Sequence, residues 1–152
     1  MTSKSNHSPS KKKRTASTLL ISCVDFRLRD KTEKLMIEKF NLLDDYDEVT
    51  IPGASLALTK DSHLNWKEMV EEMIDMLRKL HHIKRVILLD HRDCGAFKLI
   101  KGQGHTKTRA LETQTHIEVM QEAKASLQSK FSHLEVHTML LELDGTVEDL
   151  EV

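Results

Sequence analysis

Two short apolar runs, Thr18-Leu19-Leu20-Ile21-Ser22-Cys23 and Arg85-Val86-Ile87-Leu88-Leu89-Asp90, each lead into a cluster of reactive side chains. Apolar runs of this length without alternation mark strands buried on both faces, the kind found in parallel sheets covered by helices. The first run opens into Cys23-Val24-Asp25-Phe26-Arg27 and the second into His91-Arg92-Asp93-Cys94-Gly95; Cys23 and Cys94 are the only two cysteines in the chain. Together the clusters offer two thiolates and an imidazole, a zinc-ligand set that leaves one position open, as catalytic zinc sites do. In α/β sheets ligands bind beyond the carboxyl ends of the strands where the strand order reverses, so ligands far apart in sequence can converge there.

The rest of the chain fits that frame. From Leu28 to about Phe40 the pattern is helical, with Leu28, Leu35, Ile37 and Phe40 available for an inner face. Glu48-Val49-Thr50-Ile51 reads as a strand stopped by Pro52-Gly53. Ser62 is placed to cap a long helix running to about His82, with Leu64, Met69, Val70, Met73, Ile74, Leu77 and Leu80 recurring at three- and four-residue steps. Met69, Met73 and Met76 read as core on that helix. Gly102-Gln103-Gly104 marks a loop, and residues 107–130 are helical through Leu111, Ile117, Met120 and Leu127. Val136 to Leu143 is a last long strand, ending at the turn signal Asp144-Gly145 before Thr146-Val147. Strands alternating with helices give an α/β fold, a mainly parallel sheet flanked by α-helices.

At 152 residues the chain fits one domain, expected over residues 16–152 after a tail at 1–15. Lys4, Lys11, Lys12, Lys13 and Arg14 give the tail +5 against −1 for the whole chain, leaving −6 on the body. The tail has a disordered composition, and an acidic body argues against nucleic acid as the partner. There is no long apolar run for a membrane span and no secretory leader. Two cysteines so far apart make no disulfide framework, which points to the cytoplasm.

In an extended segment Cys23, Asp25 and Arg27 project to one side, lining a pocket with a metal ligand, a carboxylate and a guanidinium. His91 and Cys94, three apart, suit a tight turn around one ion, and Gly95 lets backbone approach closely. Thiolate and imidazole donors favour Zn²⁺ over Mg²⁺ or Ca²⁺. Asp25, held ionised by Arg27 through a two-pronged pair, can accept the proton of a metal-activated water. The same carboxylate can swing onto the metal and close the fourth position, so Asp25 is either the gate or the plug. Asp93 either orients a ligand or caps the next turn, and Arg92 reads as a surface or subunit-contact residue. His81 and His82 end a helix; His105, His116, His133 and His137 have no ligand-like spacing, and which of them shuttles protons is left open.

Cys23-x-Asp25-x-Arg27 followed by His91-x-x-Cys94-Gly95 resembles the β-class carbonic anhydrases. The resemblance extends through Pro52-Gly53-Ala54 to the stretch 136–145, covering roughly residues 17–147. It implies a dimer or higher even oligomer, Zn²⁺ on Cys23, His91 and Cys94, and Asp25 and Arg27 as the catalytic pair. The implied reaction is reversible hydration of CO₂ to bicarbonate and a proton by a zinc-bound hydroxide, in a pocket bounded by Phe26, Gly53, Ala54 and Gly95. The sequence departs from the family's pattern at Phe26, where serine is usual, and at Pro52-Gly53-Ala54, where Asn-Ala-Gly is usual. It also lacks the helical arm before the first strand and the upstream glutamine. Three other readings stand beside this one: a hydrolase of carbonyl sulfide or carbon disulfide, a non-catalytic zinc-binding homologue, and a redox pair of Cys23 and Cys94.

Overall fold

The computed structural model describes residues 14–152, so the tail expected over 1–15 lies, except for its last two residues, outside the described residues. Five strands form one sheet: β1 (Thr18–Ser22), β2 (Tyr46–Thr50), β3 (Arg85–His91), β4 (Glu135–Leu141) and β5 (Val147–Asp149). Their order is β2-β1-β3-β4-β5, parallel throughout except for β5, which turns back antiparallel on β4. The Asp144-Gly145 signal makes that hairpin, with Gly145 at φ 95° and Thr146 C=O accepting from the Glu142 amide at 2.8 Å.

Every residue of β1 is buried, as its unbroken apolar run requires. Leu19, Ile21, Val86 and Leu88 point to one face, where they pack on Val70 and Ile74 of α2 (Trp66–His81) and Ala123 and Leu127 of α4 (Arg109–Lys130). Leu20, Ile87, Leu89 and Met139 point to the other and meet Leu28, Leu35 and Met36. The helix expected over 28–40 is a composite: a 3₁₀ turn at Phe26–Leu28, α1 (Arg29–Lys34) and a π-helical turn at Leu35–Lys39. A short α3 (Gly95–Lys101) follows β3, and Thr108 caps α4 by accepting from the Leu111 amide at 3.1 Å.

Three expectations are corrected. Ser62 does not cap α2: the helix starts at Trp66, preceded by Asn65 in a left-handed conformation, and Ser62 lies in a turn closed by the Thr59 carbonyl. Leu64 is 88% exposed. Met69, Met73, Met76 and Leu80 form an outward stripe of α2 and not its core, because Val70, Ile74 and Leu77 carry the inner face.

The order β2-β1-β3 places the reversal between β1 and β3, where a ligand crevice is expected. Ser22 pairs with Leu89, so Cys23 lies one step further on, at the level where β3 runs through Asp90 to His91.

Candidate metal centre

Cys23, His91 and Cys94 converge at that crevice, their ligand atoms all within 4.8 Å of one another. All three are buried, at 7%, 2% and 1% exposure. The two Sγ atoms are 3.9 Å apart, close to the ~3.8 Å edge of a tetrahedral ion with Zn–S bonds of about 2.3 Å. His91 Nδ1 lies 2.7 Å from the Arg92 carbonyl. A carbonyl only accepts, so Nδ1 carries the proton and Nε2 keeps its lone pair; that Nε2 is buried without a hydrogen-bond partner. A histidine fixed through Nδ1 with a bare Nε2 aimed at two thiols is an arrangement that receives a metal.

The backbone makes this possible. Arg29 Nη2 donates to the Cys23 carbonyl at 2.6 Å as the chain leaves β1. Asp93, at φ 57°, turns the chain so that Cys94 comes back beside His91. Gly53, at φ 81°, directs its amide at Cys23 Sγ, 3.4 Å away. The hydrogen bond from the Cys94 thiol, opposed by burial and helped by the Gly53 amide, holds the Cys23 thiol well below its ordinary range. The Cys23 thiolate and burial in turn push Cys94 up. A dication between them would hold both as thiolates.

Asp25 sits beside the three, its Oδ2 3.7 Å from His91 Nε2 and its side chain 13% exposed. Arg27 grips it with two prongs, Nε to Oδ1 at 3.0 Å and Nη2 to Oδ2 at 2.7 Å, while the Arg27 amide donates to Oδ1 at 2.9 Å. The guanidinium holds the carboxyl down at about 2. This geometry comes from the 3₁₀ turn at 26–28, not from strand alternation as the spacing suggested. Arg27 also donates to Asp93, Nη1 to Oδ2 at 3.0 Å and Nη2 to the carbonyl at 3.1 Å, and Lys98 bonds the same carboxylate. Asp93 therefore ties the two sequence motifs together.

Of the residues expected to bound a pocket, Ala54 is fully buried and packs with Cys23, Cys94, Leu56, Phe97 and Val119. Gly53 is buried behind Cys23, and Gly95 is exposed at the start of α3. Phe26 is 85% exposed and walls nothing within this chain.

Sequence reasoning missed two supports. Asp90, fully buried, accepts from the Ser55 amide at 3.1 Å, the Ser55 hydroxyl at 2.7 Å and His116 Nδ1 at 2.8 Å. It thereby pins the 53–55 loop and α4 to the end of β3; the available signal was a carboxylate closing an otherwise apolar strand. Arg92, expected at the surface, is 5% exposed. It lies among Glu112 at 3.2 Å, Glu142 at 3.3 Å and Glu148 at 3.3 Å.

Known proteins share this fold. The chain aligns with the carbonic anhydrase from Glaciozyma antarctica at TM-score 0.59 and 15% identity, over 91% of this chain and 86% of that one. It aligns with the β-carbonic anhydrase CafA of Aspergillus fumigatus at TM-score 0.54 and 17% identity, over 91% and 76%. Uncharacterized proteins of Rickettsia bellii and Rickettsia conorii are each 47% identical over 135 residues, 89% of this chain and 82% and 72% of theirs. The family described as "Putative carbonic anhydrase" matches residues 12–151, and the chain belongs to that family.

Proposed function

We propose that this chain is a carbonic anhydrase that holds Zn²⁺ on Cys23, His91 and Cys94 and catalyses the reversible hydration of CO₂ to bicarbonate and a proton. The observation that carries the reading is the buried Cys-His-Cys set with an Arg-held carboxylate 3.7 Å from the bare imidazole nitrogen. Two thiolates and an imidazole select Zn²⁺ over oxygen-seeking cations. Bound there, zinc supplies the Lewis acidity that ionises water near neutral pH.

The chain's own residues supply the rest. Asp25, kept ionised by Arg27, accepts a hydrogen bond from the attacking water and orients its lone pair toward the substrate. Arg27, braced on Asp93, keeps that carboxylate aimed. The Gly53 amide draws charge from Cys23 Sγ. Ala54 and Leu56, buried against Cys23 and Cys94, give the site an apolar floor, and the pocket residues proposed are Phe26, Gly53, Ala54 and Gly95. Because Phe26 has no wall to join within one chain, the working form is a homodimer or higher even oligomer, in a reducing, cytoplasmic setting that keeps both cysteines as thiols. No described helix is long and apolar enough to cross a membrane.

The same 3.7 Å separation favours a second reading, in which Asp25 becomes the fourth ligand and the protein holds zinc without turnover. Stopped-flow CO₂ hydration with zinc quantified on the same sample decides between them. Expected are activity in the wild type, loss of this zinc and of activity in Cys94→Ala, and retained zinc with activity down about 10²–10⁴-fold in Asp25→Ala. Zinc at the cysteines with no hydration at any pH would overturn the enzyme reading and move the assay to carbonyl sulfide and carbon disulfide.

A further inference from the structure

A second cluster lies behind the first, and sequence spacing gave no hint of it. His105 stands in the 3₁₀ turn Gln103–Thr106, and Glu112 and His116 follow on α4, one helical turn apart on one face. Their ligand atoms all lie within 4.8 Å of one another, and the residues are 5%, 7% and 0% exposed. We propose that His105, Glu112 and His116 form a second site for a divalent transition-metal ion, distinct from the cysteine site.

The protonation pattern argues for it. His105 Nδ1 lies 2.9 Å from the Gly102 carbonyl, so it donates and leaves Nε2 as an acceptor. His116 Nδ1 lies 2.8 Å from the Asp90 carboxylate and does the same. Both Nε2 atoms are buried with no hydrogen-bond partner. Each such orphan is destabilising, and neither can satisfy the other, because both are acceptors and so is Glu112. Three convergent acceptors without a donor are what a cation satisfies.

The surroundings fit as well. A metal-bound histidine ordinarily passes its other N–H to a carboxylate or a carbonyl, and Asp90 and Gly102 fill those roles. Glu112 is braced by Arg92 Nη1 on Oε1 at 3.2 Å and by the Asp93 amide on Oε2 at 2.8 Å, which leaves a lone pair on each oxygen. Glu112, Glu142 and Glu148 face the guanidiniums of Arg92 and Arg109, and Asp90 stands behind His116. Four carboxylates against two cations leave two negative charges, which a dication cancels. An open cavity of about 560 Å³, lined in part by Arg92, Thr106 and Glu112, reaches the Glu112 edge of the cluster. Two imidazoles and a carboxylate are donors for Zn²⁺ or Fe²⁺, not for an ion that demands six or more oxygens.

The test is metal stoichiometry on the full chain equilibrated with Zn²⁺, backed by Co²⁺ absorption. Cobalt on cysteine sulfur gives a near-ultraviolet thiolate charge-transfer band; cobalt on His105, Glu112 and His116 gives only ligand-field bands. Two zinc ions per chain are expected in the wild type. His105→Ala, in an outer turn, is expected to fall to one ion with the charge-transfer band intact. A Cys23→Ser, Cys94→Ser double variant is expected to keep one ion and lose the band. One ion in the wild type with the charge-transfer band present, or no loss of an ion in His105→Ala, overturns the proposal. The His105→Ala result stands even if the double variant fails to fold, and neither arm depends on turnover at the cysteine site.

Discussion

Arg27 joins Asp25, through Nε and Nη2, to Asp93, through Nη1 and Nη2, so one guanidinium fixes the geometry between both halves of the site. Lysine keeps the charge but not the planar fork. On the proposed reading, Arg27→Lys should bind zinc normally and lose about 10–100-fold in kcat/KM for CO₂ hydration, the usual scale for a group that orients a metal site. An unchanged rate would remove Arg27 from the mechanism. The same pair sets a pH dependence. The Asp25 carboxyl is lowered to about 2 by the Arg27 side chain, below an unfolded value of about 3.9. Its contribution to stability is therefore complete above about pH 4 and is lost as pH falls through about 2. Arg27→Ala should bring acid unfolding on at higher pH than in the wild type, followed by circular dichroism. Gly53 is the other single residue on which the site depends. A Cβ there would lie 3.1 Å from the Leu56 Cβ and 3.3 Å from the Ala96 Cβ, at a φ of 81° that side chains disfavour. Gly53→Ala should cost about 1–3 kcal/mol and move the amide off Cys23, read as a lower urea midpoint together with weaker zinc retention.

At the scale of elements, Arg92 is the contact through which β3, α4 and the β4–β5 hairpin meet, since Glu112, Glu142 and Glu148 reach it from three different places. Removing one partner of a buried ionic cluster leaves uncompensated charge, which costs about 3–5 kcal/mol. Arg92→Ala should lose that much in urea unfolding, whereas Glu148→Gln, whose side chain is 47% exposed, should lose under about 1 kcal/mol. Equal losses would mean that the cluster is not organised around Arg92. The charge pattern of the sequence could not show this burial, because the three glutamates are brought together only by tertiary structure. The strands at 18–22 and 85–91 were legible because burial on both faces leaves an unbroken apolar run, and their reactive ends were legible because each motif is contiguous. α2 was read with too wide a face inward for a related reason. Met69, Met73, Met76 and Leu80 keep helical period as well as Val70, Ile74 and Leu77 do, and periodicity cannot rank two adjacent apolar stripes. His105, Glu112 and His116 stayed hidden because one of them reaches the cluster from a turn outside the helix.

At the scale of the whole molecule, the candidate centre lies at the switch point of the sheet, yet one rim of it is bare. Asp25 is 13% exposed, while its neighbours Val24 and Phe26 are 47% and 85% exposed. Beside the carboxylate proposed to orient the attacking water, apolar side chains of that size stay in contact with solvent unless something covers them. A second copy related by a two-fold axis would do so twice over, each subunit contributing the same patch. On the proposed reading the protein sediments as a dimer or larger even oligomer at micromolar concentration. Phe26→Glu should then shift it to monomer and abolish most of the hydration activity while leaving zinc on Cys23, His91 and Cys94. The outward stripe of α2 is a second apolar face and serves as the control. If subunits meet there instead, Met73→Glu will dissociate them and Phe26→Glu will not. A wild-type monomer with full activity would show that one chain encloses the substrate unaided, and that Phe26 is a solvent-facing substitution without a structural partner.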